Sequence, residues 1–146
     1  MYNIYNIANY LIEKCPDITN MKLQKLVYYA YVDYLMSNNK KLIKENLEAW
    51  VYGHVIRELY MEFSKYSYKK IKISPKGNSS ILNKDIISFL DSVIEIYGHL
   101  DANELSDKVH GELPWQEAYK NSDWSLNIIK DSIIKEFYIW VLFVNK

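Results

Sequence analysis

The chain has 146 residues, of which 49% are hydrophobic and 25% charged, which excludes a disordered or fibrous class and makes residues 1–146 one domain around one core. Its 18 basic and 18 acidic residues balance, so no whole-molecule field draws it to nucleic acid or an anionic membrane. A single cysteine, Cys15, excludes an internal disulfide, and MYNIYNIANYL lacks the features of a secretory signal, so a cytoplasmic protein is expected.

Ile4, Ile7, Ala8, Leu11 and Ile12 share one helical face, and the pattern ends at Cys15-Pro16, because the residue before a proline is pushed out of the helical region. Thr19 is placed to cap a second helix, with Ile18 stapling onto Leu23. This helix is apolar nearly all round: Leu23, Leu26, Val27, Ala30 and Tyr34 on one side, Tyr28, Val32, Leu35 and Met36 on another. It is therefore expected to be buried on several sides. Ser37 to Lys40 reads as a turn. Lys41 to Tyr52 fits two readings: Leu42, Ile43 and Leu47 suit a helical turn, while Glu48 to Tyr52 alternates like a short extended segment, and Gly53 breaks either one. Val55, Leu59, Phe63 and Tyr66 then step at helical spacing, with Arg57, Glu58 and Glu62 on the polar side.

Residues 69–73 alternate like a short edge strand, and Pro75 to Ser80 is a loop. Asn83 is expected to cap the next helix, Leu82 to staple onto Ile87, and Gly98 to stop it. Asp101 with Glu104 makes a box-like cap for a segment running to about His110, and Gly111 ends it. Pro114 suits the first turn of a short helix, and a last helix begins near Asp131. Its run Tyr138 to Val144 is far short of the roughly 20 residues that span a bilayer, so it belongs to core or interface and no membrane partner is expected. The sum is a mainly α, compact single-domain bundle of about six to seven helices, with a small strand or hairpin region near residues 47–52 and 69–73.

Known catalytic and cofactor signatures are absent: there is no Gly-rich phosphate loop, GxSxG, HExxH, CxxC or EF-hand loop. His54, His99 and His110 are far apart and share no ligand spacing with Cys15, so neither a metal nor another cofactor is expected. Cys15 has the surroundings of an inert thiol, and Glu58 with Glu62 reads as a solvated face. Tyr28, Tyr29, Tyr31 and Tyr34 are expected in the core with hydroxyls reaching the surface. Five lysines between Lys65 and Lys76, with no acid among them, make a solvated edge; a nucleic-acid patch is the less favoured reading. Two features resist a purely structural account. Gln24 and Lys25 interrupt an apolar helix, and Trp50, Tyr52, Gly53, His54 and Val55 crowd aromatics around a chain break, as a specialised turn or a recognition surface does.

MKLQKLVYYA at 21–30, EAWVYGHVIRELYMEF at 48–63, HGELPWQEAY at 110–119 and DSIIKEFY at 131–138 together resemble, in order and spacing, the Panacea domain family, also called the SocA-like antitoxin domain. The residues that carry the resemblance, and so are the candidates for partner binding, are Gln24, Lys25, Tyr28, Tyr29, Trp50, Tyr52, Gly53, His54, Val55, Tyr60, His110, Pro114 and Trp115. His54 departs from the pattern, which usually has proline there; a proline would suit the first turn of the following helix. The resemblance implies a non-enzymatic antitoxin of a type II toxin–antitoxin pair, from a bacterium or phage. Such a protein is commonly encoded beside the toxin it neutralises by direct contact, and one branch of the family delivers its toxin to a protease. It leaves the toxin and any homo-oligomer open. The rival readings are a nucleic-acid-binding regulator using Lys65 to Lys76 and, last, an enzyme using His54 or His110 with Glu58.

Overall fold

A computed structural model describes residues 1–51, 53–120 and 127–144. It is mainly α, with one small antiparallel hairpin. In chain order the elements are α1 (Ile4–Lys14), α2 (Asn20–Asn38), β1 (Glu48–Trp50), β2 (Gly53–Val55), α3 (Arg57–Phe63), α4 (Lys84–Tyr97), α5 (Ala102–His110), α6 (Leu113–Lys120) and α7 (Asp131–Val144). Short 3-10 turns occupy Ser64–Tyr66 and Ser79–Ile81.

Everything is arranged about α2, which touches α1, α3, α4, α5, α7 and β2. Its start is local chemistry: the Thr19 hydroxyl accepts a hydrogen bond from the Lys22 N–H at 3.3 Å, and buried Ile18 lies five positions before Leu23, the first fully buried leucine of the helix. Leu23, Leu26, Val27, Tyr28, Tyr29, Ala30 and Val32 are all completely buried, as all-round apolarity dictates. The helix runs through Asn38, two residues into the expected turn, and stops where Asn39 takes the left-handed conformation.

The other local signals act as their chemistry requires. Asn83 Oδ1 accepts from the Ile86 N–H to start α4, and Asp101 and Glu104 bond each other's backbone in a capping box at the start of α5. Gly98 and Gly111 follow the two helices. Pro114 lies in the first turn of α6, where a missing N–H costs nothing.

Two segments differ from expectation. Residues 69–73 form no strand; a single bridge joins Lys70 to Thr19. The Asn9 carboxamide takes the place of a neighbouring strand, donating to the Ser74 carbonyl at 2.9 Å and accepting from its N–H at 2.8 Å. In addition, α3 begins at Arg57 rather than Val55, because Val55 is buried in β2 opposite Glu48. Position 54 therefore lies in a strand paired with Ala49, not in the first turn of a helix, so a proline's benefit to α3 does not arise there.

Because α2 anchors five other helices, its cap is a sensitive point. Thr19→Ala is expected to lower the free energy of unfolding by about 1 kcal/mol, read as a lower urea midpoint at unchanged slope; an unmoved midpoint contradicts the role given to the cap.

Candidate functional site

Gln24 and Lys25 face the hairpin from α2, and both are buried. The Gln24 carboxamide serves the backbone: Oε1 accepts from the Ile56 N–H at 2.9 Å, where α3 starts without a side-chain cap of its own, and Nε2 donates to Asn20 Oδ1 at 3.0 Å. The Gln24 carbonyl lies 2.8 Å from His54 Nε2. A carbonyl can only accept, so the proton is on Nε2. Burial pushes the His54 pKa well down, the Lys25 and His110 charges add to this, and the bond to Gln24 opposes it. The ring is thus a neutral packing group, 3.9 Å from the Tyr28 ring centre.

Lys25 is different. Among the described residues its ammonium reaches only the Met21 sulfur at 3.4 Å and the His54 carbonyl at 3.5 Å, the latter a long contact. Burial lowers its pKa to about 8. The stem runs beneath the hairpin, where Gly53 has φ +117°; a Cβ there would stand 2.9 Å from Lys25 Cε, so glycine is required by conformation and by space. Above lies a pocket of about 570 Å³ lined by Met21, Lys25, Trp50, Val55, Tyr60 and Tyr68, among others.

The HGELPW stretch reaches the same hairpin. His110 Nε2 is 2.7 Å from the Val51 carbonyl, and Trp115 Nε1–H donates to the Trp50 carbonyl at 2.9 Å. Trp50 is half-buried, flanked by the Arg57 guanidinium at 5.4 Å and the Tyr60 ring at 5.2 Å. Pro114 and Val55 are buried beneath this surface, and Tyr60 opens to solvent. The structure therefore gathers Gln24, Lys25, Gly53, His54, Val55, Trp50, Tyr60, His110, Pro114 and Trp115 around one hairpin; Tyr52 lies outside the described residues.

Tyr28 and Tyr29 are correctly core residues, but their hydroxyls do not reach the surface. Tyr29 donates to Glu112 Oε1 at 3.1 Å, as does Tyr138 at 2.9 Å, and Lys108 Nζ bonds Oε2 at 3.2 Å. Burial first, and for Tyr29 the Glu112 charge second, push these phenols up so that they remain donors. The Tyr28 hydroxyl has no partner among the described residues. Glu112, in the middle of HGELPW, is the residue the sequence reading passed over, although a lone carboxylate among Gly111, Leu113 and Pro114 was a visible signal. Glu48 was missed as well; it is bound by Arg57 through Nε at 3.2 Å and Nη2 at 2.8 Å, and by Trp50 Nε1 at 3.2 Å.

The rival sites do not come together in the same way. Glu58 is exposed on α3 while His54 is sealed inside, and His54, His99, His110 and Cys15 form no metal-ligating group of three among the described residues. In the lysine segment Lys70 pairs with Asp17 at 3.8 Å and Lys76 with Glu62 at 3.6 Å.

Comparison with known proteins bears on this arrangement. The family described as "Antitoxin SocA-like, Panacea domain" matches residues 23–116, which include α2 from Leu23 on, the hairpin and the whole HGELPW stretch. The chain belongs to this family. It is 30% identical over 149 residues to Antitoxin SocA of Caulobacter vibrioides (strain NA1000 / CB15N), covering 89% of this chain and 79% of that protein. No solved structure matches. No helix among the described residues is long and apolar enough to cross a membrane.

Within this Panacea domain, Lys25 has a thermodynamic signature. Its pKa falls from an ordinary 10.5 to about 8 on folding, so below pH 8 the charged lysine disfavours the folded state by about 3 kcal/mol. From pH 8 to 10.5 the unfolded state holds the extra proton, and the penalty fades as pH rises. Lys25→Met is therefore expected to be more stable than the wild type at pH 7 by about 1–3 kcal/mol, with the difference in melting temperature shrinking towards pH 10. A variant less stable at pH 7 contradicts this account.

Proposed function

We propose that this protein is the antitoxin of a type II toxin–antitoxin pair, that it acts in the cytoplasm without catalysis, and that it neutralises a cognate toxin, encoded beside it, by direct protein contact. Membership of the Panacea family supports the antitoxin role. The observation that carries direct contact is the outer side of α7. Only Ile134 of this helix is buried, while Ile139, Trp140, Leu142, Phe143 and Val144 are all more than half exposed. Leu113, Phe137 and Trp140 also line a shallow apolar depression of about 430 Å³ with Glu136.

The sequence offers this run as core or interface; Tyr138 serves the core through Glu112, and the exposure of the residues after it supports interface. An apolar strip of this kind, with a tryptophan and a phenylalanine as anchors, is what a protein partner buries. The nucleic-acid reading has weaker support, since two of its five lysines already pair with acids.

Co-expression with the product of the adjacent gene tests the reading. The expected result is rescue of growth and co-purification of the two chains, both lost in Trp140→Asp or Phe143→Asp while the helical circular dichroism spectrum is kept. A toxin that disappears from the cell only while a protease is present reassigns the mechanism from masking to delivery. A wild-type protein that neither rescues nor binds refutes the proposal, and a loss of self-association alone in the α7 variants assigns that surface to a second copy of the chain.

A further inference from the structure

Three buried charged side chains differ in one respect. The buried acids have cations: Glu48 has Arg57, and Glu112 has Lys108 together with two tyrosine hydroxyls. The buried base has no acid among the described residues. Lys25 is wholly inaccessible, yet no described carboxylate contacts it, and its described ligands are a thioether and a backbone carbonyl at the long limit of a hydrogen bond. A buried cation left in this state disfavours the fold, and a methionine or leucine in its place would pack without that cost. Its position is also particular: it floors the pocket of about 570 Å³, whose rim is the exposed Met21, Val51, Tyr60 and Tyr68.

We propose that this pocket is an acid-reading subsite, in which an Asp or Glu side chain of the protein partner, flanked by an apolar residue, forms an ion pair with Lys25. The inference rests on the reading of the protein as an antitoxin that contacts its toxin, and it specifies a chemical feature of that toxin. Charge complementarity names the carboxylate. The rim names its apolar neighbour: Trp50 and Tyr60, 5.2 Å apart, with Val55 beneath and Tyr68 at the edge, present ring and aliphatic surface. A side-chain carboxylate fits better than a chain terminus. Terminal carboxylates are held by clusters of backbone N–H groups, whereas the charge this pocket offers is the single side-chain ammonium of Lys25. Gln24 bonds Asn20 and Ile56, Asn20 Nδ2 bonds the Tyr60 carbonyl, and Thr19 caps Lys22; Ser67 and Asn103 are neutral, so Lys25 is the one cation of the described lining.

Met21 is the gate. Its sulfur contacts the ammonium while its side chain is partly exposed at the pocket rim, and a flexible thioether can swing aside at little cost. In the complex a carboxylate replaces that sulfur, and the ammonium gains the charged partner that the free protein lacks. Met21 is also four residues before Lys25 on α2, the spacing and order at which a glutamate best reaches a lysine. Met21→Glu therefore supplies the missing acid from within the chain and closes the subsite.

Calorimetric titration of purified antitoxin with the adjacent-gene product measures the effect. Wild type is expected to bind, and both Lys25→Met and Met21→Glu to lose about tenfold or more in affinity while remaining at least as heat-stable as wild type. Affinities within a factor of about five of wild type for both variants overturn the inference and leave the antitoxin reading intact. Absence of wild-type binding refutes the antitoxin reading, and the subsite is then decided on the protein alone by NMR titration with 4-phenylbutyrate and its amide. Shifts at the Trp50 indole and the Met21 methyl with the carboxylate only, absent in Lys25→Met, support it. Equal response to both compounds, or response to neither, overturns it. The titration also decides if Lys25→Met fails to fold, because Met21→Glu alters only a solvent-facing position and must abolish the response by itself.

Discussion

The physical constraint on which the rest depends is that α2 is enclosed on all sides from Leu23 to Val32, so each polar group on that stretch must find a partner inside the protein or go without one. Gln24 solves this by acting as backbone: it caps the start of α3 and anchors its own neighbour Asn20. Its carbonyl fixes the His54 ring as a neutral donor. Tyr29 solves it through Glu112, which pulls α5, α7 and α2 onto a single carboxylate. Such a network is strong where every member is satisfied. Lys25 is the fully buried charge of α2, with no counter-charge among the described residues, and that exception directs attention to the pocket above it.

The hairpin is the second consequence. Its three-residue strands are too short to hold themselves together, and they depend on contacts from elsewhere. Gln24 and Lys25 support them from below, Trp115 and His110 hold the turn side, and Asn127 accepts from the Ala49 N–H at 2.8 Å. What looks in sequence like three separate motifs is one assembly, in which α2 is the base, the hairpin is the presented surface and HGELPW is the clasp. Arg57, locked to Glu48, stacks against Trp50 and stiffens the rim of the pocket.

Legibility in the sequence followed the range of the interaction. Thr19, Asn83 and the Asp101–Glu104 pair were readable because a cap is completed within three or four residues. The 69–73 segment misled because its alternation is local, whereas its backbone partners are distant in sequence: the Ile71 N–H bonds the Ile18 carbonyl, and Ser74, just after the segment, bonds Asn9. Val55 satisfies a helical and a strand period equally, and only the hairpin register decides between them. The site was visible as a conflict: a glutamine and a lysine in an apolar helix, and a glycine between large aromatics. That Gly53 and Lys25 are two halves of one packing contact is a fact of space that spacing along the chain does not carry. The α7 run shows the complementary failure. Periodicity says that Trp140 and Phe143 want burial, and it is silent on whether the same chain provides it.

The central claim is that this Panacea domain meets a toxin with the outer side of α7 and with the hairpin pocket over Lys25. Amide hydrogen exchange of the chain, alone and mixed with the product of the adjacent gene, tests that claim most directly. The account predicts added protection concentrated in residues 137–144 and around residues 19–25 and 50–60, with α1 and the outer face of α4 unchanged. Protection confined to α1 and α4, with α7 and the pocket exchanging as in the free protein, would contradict it.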